Sequence, residues 1–533
     1  MERRIESVIK PNLRLPQSGL NLPRLATGTS PAMIRPLRCL AALALLAGSA
    51  VSTAAGPADD AAFVDALTWG ISPSSFSEFR AKGREAWLRE QLHSPAQPRL
   101  PAVVQAQVDA LAPKSSLFDR IAALQAQGKE ANAEPDPEAK QKSRQALQAS
   151  LNASVKDAAS ATLLRALYSP DQLRERLTWI WFNRFNVHLG KANIRAMVGD
   201  YVDTAIRPHA LGRFRDLVEA TLRHPAMLRY LDNADNAAGH INENYARELL
   251  ELHTMGVGTG YTQGDVENLA RILTGIGIDA RPEAPKIRPE RQADLVRAGL
   301  FVFNPNRHDY GDKVLLGHTI RGRGWAEIGE ALDIICSQPA TARNVSRGLA
   351  RSFMGAEPSG ALVDYMAGVF AKSGGDIPTV LDALVHSRDF ATSATARFKD
   401  PMRYVLSAVR LAYDGRPILN TAPMQGWLNR LGEGLFNRTT PDGYPLDAAS
   451  WSGPGQMTTR FEIARQIGSG SAGLFKATTP DASEVPAFPL IQNELYFSTL
   501  AATLGEPTRA ALSQAVSPQD WNTLFLSSPE FMR

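Results

Sequence analysis

From Ala61 onward, apolar residues recur three and four positions apart almost without interruption, in REAWLREQL, RERLTWIWFNRF, GRFRDLVEATL, VENLARILTGI and ALVDYMAGVFA. That spacing lines one face of a helix of 3.6 residues per turn, and such faces are covered by other helices. Alternating β-branched runs are scarce, so the chain is predicted to be mainly α, a large irregular helical body. The clearest strand candidates, LFVFN and KVLLGHTI, flank the Asn/Gly/Asp-rich NPNRHDYGD and predict a small hairpin-like excursion near 300–320. Residues 128–160 lack aromatics and are rich in Ala, Gln, Glu and Lys, which predicts a loop followed by an exposed helix. From Asn437 to Gly455, Pro and Gly exclude regular structure, while Tyr444 and Trp451 require packing or a ligand. TLRHPAML, ALVHSRDF and LFLSSPEF each end a Leu-bearing helical segment with a polar step and a large apolar residue. Their irregular spacing excludes a solenoid and points to a reused helix exit.

A chain of 533 residues with 44% hydrophobic and 21% charged side chains has a globular composition. No apolar run reaches the roughly 18 to 20 residues that span a bilayer. A pI near 9.0 suggests nucleic acid until the charges are located. Residues 1–55 hold seven of the 58 basic and two of the 54 acidic residues, so the remainder is close to neutral and no nucleic-acid partner is expected. Within that leader, MIRPLRCLAALALLAGSAVSTAAG begins at Met33 with two arginines, continues as an apolar run and ends in small residues, the pattern of a secretory signal peptide over 33–55. Residues 1–32 then read as an over-extended start. The mature chain is expected to be periplasmic or secreted, without a transmembrane span. Its one cysteine, Cys336, leaves no internal disulfide.

The densest ionisable run is NENYARELLELHTMG, 242–256. With Asn242 as N-cap and about 100° per residue, Glu243, Asn244, Arg247, Glu248, Glu251 and Thr254 share one arc, and His253 falls among Leu249 and Ala246 on the other. Two readings stand. Glu248 and Glu251, three apart, could bind a metal or divide acid and base work. Alternatively Glu243–Arg247 and Arg247–Glu251 form a structural ladder of i,i+4 pairs. A lone histidine on an apolar arc, such as His253, is usually a core residue. Three glycines then lead to Thr262 and Asp265 in a capping-box arrangement, so a second helix folds back with Glu267–Arg271 as a further i,i+4 pair.

NENYARELLELHTMGVGTGYTQGDVENLARILTG closely resembles the signature of the bacterial family known as domain of unknown function 1800. REAWLREQL, HPAMLRYLDNADN, HDYGDKVLLG, QPATARNVSRGLARSF, FKDPMRYVLSAVR, PDGYPLDAASW and LSSPEFMR follow in the family's order. The resemblance covers about Ala61 to Arg533 and implies one helical domain over 56–533 and export, but no activity. Members typically read Phe-Trp-His-Asn-His-Phe where this chain has IWFNRF, so Phe182 and Arg184 replace two histidines. The resemblance thus implies no metal here, with Arg184 paired to a carboxylate of the 243–265 helices and His188, four residues on, as a possible substitute ligand. Ile241 and Ile276 stand where the family usually has Pro and Trp.

RHDYGDK adds His308 and Asp309, an adjacency that suits metal ligation or an oriented base. P-loop, dinucleotide, nucleophile-elbow and HExxH motifs are absent. The expectation is an exported, hydrolase-like protein acting on extracellular or envelope polymer, plausibly carbohydrate. Its candidate chemistry lies at Glu248, Glu251, Asp265, His253, His308 and Asp309, with Glu243, Arg247, Arg184 and Arg271 as a structural network. The alternative is a periplasmic binding or assembly protein whose charges only hold helices together. Cofactor and oligomeric state are not implied by any motif.

Overall fold

A computed structural model describes residues 56–96, 100–393, 397–477 and 487–533; the segment 33–55, expected to be a signal peptide, and residues 1–32 lie outside them. The described residues are mainly α, with buried apolar side chains forming one cluster from Ala61 to Met532. Such a cluster needs helix ends to be buried where helices abut, and each end leaves carbonyls without a helical partner. Buried arginines supply them. The last carbonyls of helix Pro57–Leu67 receive Arg176, Arg397 and Arg403, with Arg403 Nη2 3.2 Å from Asp65 O and Arg397 Nη1 3.3 Å from Ala66 O. Arg410 reaches Leu167 O at the end of helix Pro137–Tyr168 and Gly70 O at 2.9 Å. A planar cation with five donors suits this position, since it satisfies several carbonyls and the negative end of a helix dipole together.

The excursion near 300–320 exists, as two small sheets instead of one hairpin. β3 (Phe301–Phe303) lies between β1 (Ile276–Ile278) and β2 (Val296–Ala298), antiparallel to both. β4 (Lys313–Leu315) pairs with β5 (His318–Ile320). Strand pairing thus skips the 304–312 loop, because β1 and β2 occupy both edges of β3. Gly275 permits this approach: its φ is +81°, and a Cβ there would lie 2.8 Å from Asn304 O.

Residues 128–160 include the expected exposed helix, but the loop expected before it is only a short turn. Helix Leu117–Ala133 runs into a short turn, and Asp136 caps the long helix Pro137–Tyr168 by accepting from Ala139 N at 2.8 Å. Alanine and long polar side chains are strong helix formers, so the low hydrophobicity signals an exposed helix surface and not a loop. The 437–455 segment is packed: Trp451 is buried and donates to Pro445 O at 3.0 Å, and Tyr444 donates to Gly434 O at 2.7 Å. The repeated helix exit is also present. His224 Nδ1, Ser387 Oγ and Ser528 Oγ each accept from a backbone N–H two or three residues on, at 3.1–3.2 Å. Leu228, Phe390 and Phe531 are then buried.

Candidate functional site

The residues singled out in sequence do not converge. Helix Asn244–Glu248 continues as a wide π turn over Leu249–His253, which invalidates a 100° projection beyond Leu249. Thr254, expected on the charged arc, is buried and donates to Leu249 O at 2.6 Å. Asn242 serves the start of the helix, accepting from Asn244 N at 3.0 Å. Arg247 does bridge Glu243 at 2.9 Å and Glu251 at 3.5 Å, but its side chain is 39% exposed, so the ladder is a partly solvated one. Burial, then the Glu251 charge, push the Glu248 carboxyl above its usual range. Among the described residues no group of three or more His, Cys, Asp or Glu is placed to hold a metal.

His253 is a core residue, 4.9 Å from the Phe185 ring, with neither ring nitrogen hydrogen-bonded among the described residues. Burial, with a contribution from Arg184, pushes it down to about 3. Among the described residues Arg184 pairs with no carboxylate; its Nε donates to His253 O at 3.0 Å, because the last turn of its helix faces the end of the π turn and not the charged arc. His188 is not on Arg184's helical face either, since helix Gln172–Arg184 stops at that arginine.

The other candidates are structural. Asp265 caps its own helix through Thr262 N at 2.8 Å and fastens the β4–β5 turn through Leu316 N at 2.6 Å. Arg271 pairs with Asp309 at 2.8 Å in place of the expected Glu267. His308 is fully enclosed: Nδ1 lies 2.9 Å from Thr274 O and Nε2 2.9 Å from Glu327 Oε1. Glu327 also accepts from Lys313 Nζ at 2.5 Å and from Gly324 N at 2.8 Å. Burial opposes ionisation of Glu327, but the His308 and Lys313 bonds hold its carboxyl below the usual range.

A cleft of about 590 Å³ lies elsewhere, between the end of helix Ile194–Asp200, helix Phe214–Arg223, the 116–118 segment and the β2–β3 turn. Asp200, His209, Asp216, Glu219, Arg223 and His224 line it, beside Phe118 and Phe301. His224 Nδ1 accepts from Ala226 N at 3.1 Å, so Nε2 carries the proton and donates to Asp200 Oδ2, also at 3.1 Å. Burial lowers the His224 pKa against the pull of Asp200; burial likewise opposes ionisation of Asp200, yet the His224 bond keeps it below the usual range. Both groups are spoken for. Glu219 is held by Arg215 and Arg223, whose guanidinium lies 5.2 Å over Phe301.

His209 differs. Its Nδ1 is 3.0 Å from Ala205 O, which can only accept, so the neutral ring keeps a lone pair on Nε2. The carboxylate of Asp216 has no ion pair or hydrogen bond among the described residues. A π turn over Tyr201–Ile206, a distortion often found beside functional sites, leads into the 3-10 turn Arg207–His209. These residues form no spaced motif. Their one trace in sequence is a concentration of His and Asp across a single helix–turn–helix, a weaker signal than the 242–256 run.

The sequence model of the family described as Protein of unknown function (DUF1800) matches residues 62–533, and the chain belongs to that family. No curated protein and no solved structure matches it.

Proposed function

We propose that this protein is exported and hydrolyses acyl ester groups on an extracellular or envelope polymer of carbohydrate type, in the His209 cleft. The observation that carries the reading is the Nδ1 contact of His209 with Ala205 O, which leaves Nε2 of this cleft-lining residue as the nitrogen free to act as a base beside carboxylates and arginine. Glycosidic cleavage needs a pair of uncommitted carboxyl groups, whereas of the three lining this cleft Asp200 is bonded to His224 and Glu219 is ion-paired, leaving Asp216 alone. An imidazole base suits water activation instead. His209 Nε2 takes a proton from water as its oxygen adds to the acyl carbon, and the developing oxyanion lies on the Arg223 side. The proton then passes to the departing alkoxide, leaving acid and alcohol. The half-buried Phe118 supplies apolar surface for a sugar face.

The test is acid release from a panel of acylated polysaccharides. His209→Gln should lower kcat by roughly 10²- to 10⁴-fold with unchanged melting temperature. Full activity in that variant would sink the reading. A second reading, a non-catalytic binding protein, draws support from the closed pairing of the 243–313 charges. It expects polymer binding that survives His209→Gln and yields no product.

A further inference from the structure

Helix Pro57–Leu67, helix Pro401–Tyr413 and the C-terminal segment enclose a second cavity, of about 300 Å³, that shares no lining residue with the His209 cleft. Its walls are largely apolar, from Ala61, Ile71, Leu411, Leu504 and Phe525. Into it opens Lys399, only 4% exposed. A lysine so enclosed normally has a close carboxylate partner. Lys399 Nζ has one that it shares: Asp65 Oδ1 pairs with it at 3.5 Å, while Asp65 Oδ2 pairs more closely with Arg403, at 2.9 Å. The ring of Phe531 lies 4.3 Å from the same nitrogen. Burial lowers the lysine pKa, Asp65 offsets part of this, and Arg403 adds to it.

We propose that Lys399 is a reactive amine that captures an apolar aldehyde or ketone in this cavity as an imine. The amine loses a proton to solvent, its lone pair adds to the carbonyl carbon, and the carbinolamine expels water. No oxidant or reductant is required. The protonated imine keeps the positive charge, so the Asp65 pairing survives the reaction. The carboxylates of Asp65 and Glu530 line the cavity and are both held below the usual range, in Glu530 by bonds from Thr508 and Gly505 against the effect of burial. With Asp59 they face two lining cations, Lys399 and Arg533, so the cavity offers an anionic ligand no net attraction and does not oppose a neutral carbonyl.

The experiment treats the full chain with hexanal and sodium cyanoborohydride, which reduces imines in place, and maps alkylated lysines by peptide mass spectrometry. Lys399 should be labelled about tenfold faster than the exposed Lys372 and Lys476 near neutral pH. Lys399→Arg preserves the charge and the Asp65 pair and should abolish that label without moving the melting temperature. Leu504→Trp, which fills the cavity, should slow labelling at Lys399 and leave Lys372 unaffected. Labelling of Lys399 no faster than the surface lysines overturns the proposal, as does fast labelling that Leu504→Trp does not slow.

Discussion

Among single residues, histidines show how far residue type carries. His253, His308, His224 and His209 are the same side chain in four settings, and their hydrogen bonds decide what each can do. Among the described residues His253 has no partner at either nitrogen, so the folded chain holds it neutral, down to about 3, while an unfolded chain protonates near the ordinary imidazole value. Below that value the unfolded state binds the extra proton, and stability falls as pH drops from about 6.5 toward 3. Each unit of the interval is worth about 1.4 kcal/mol, so several kcal/mol are involved. His253→Leu should remove this part of the acid lability and leave stability at pH 8 little changed or higher, since no hydrogen bond is lost. Urea melts at pH 4.5 and 8 decide it; a variant as acid-labile as the parent would locate the effect in another group. The apolar setting of His253 was expected from its apolar neighbours Leu249, Leu250 and Leu252, although the π turn breaks the helical projection that placed it. The role of His209 was not, because it depends on one carbonyl four residues back and on a cleft built from distant segments.

Secondary-structure elements carry the next level. Capping at Thr262–Asp265 and the helix exits were readable because they are local: the partners sit two or three residues apart. Strand pairing near 300–320 was not, since β3 chose β1 from across the preceding loop. The same distance dependence hides the His308–Glu327–Lys313 group, whose carboxylate arrives from the helix Trp325–Ser337. That group joins β4, the 304–312 loop and a helix start with no exposed side-chain surface. Glu327→Gln leaves two buried donors without their anion and should cost roughly 3 to 5 kcal/mol. Adding Lys313→Met should return part of the loss, and the double-mutant cycle measures the coupling. A single-mutant loss below about 1 kcal/mol would show that water reaches the group.

For the whole molecule, one core predicts one cooperative unit, and the two ends of the described chain test that. Lys399 N donates to Met532 O at 2.7 Å, the Phe531 and Tyr404 rings lie 5.9 Å apart, and Glu530 accepts from Gly505 N at 2.8 Å. Through Lys399 and Arg403 these contacts reach Asp65 and the end of helix Pro57–Leu67, whose Ala61 and Ala62 share a cavity wall with Phe525 and Phe531. Helical periodicity announced both terminal segments but not that they meet, because periodicity specifies which face is buried and never against what. Removing residues 527–533 should therefore lower the melting temperature and also speed amide exchange in helix 57–67, at the opposite end of the sequence. Exchange there should rise while helix Pro339–Met354, buried deeper in the same core, keeps most of its protection. If the truncated chain instead melts earlier with exchange in 57–67 unchanged, the first helix is held by Arg176 and Arg397 alone, and the C-terminal segment is an appendage to the cooperative unit.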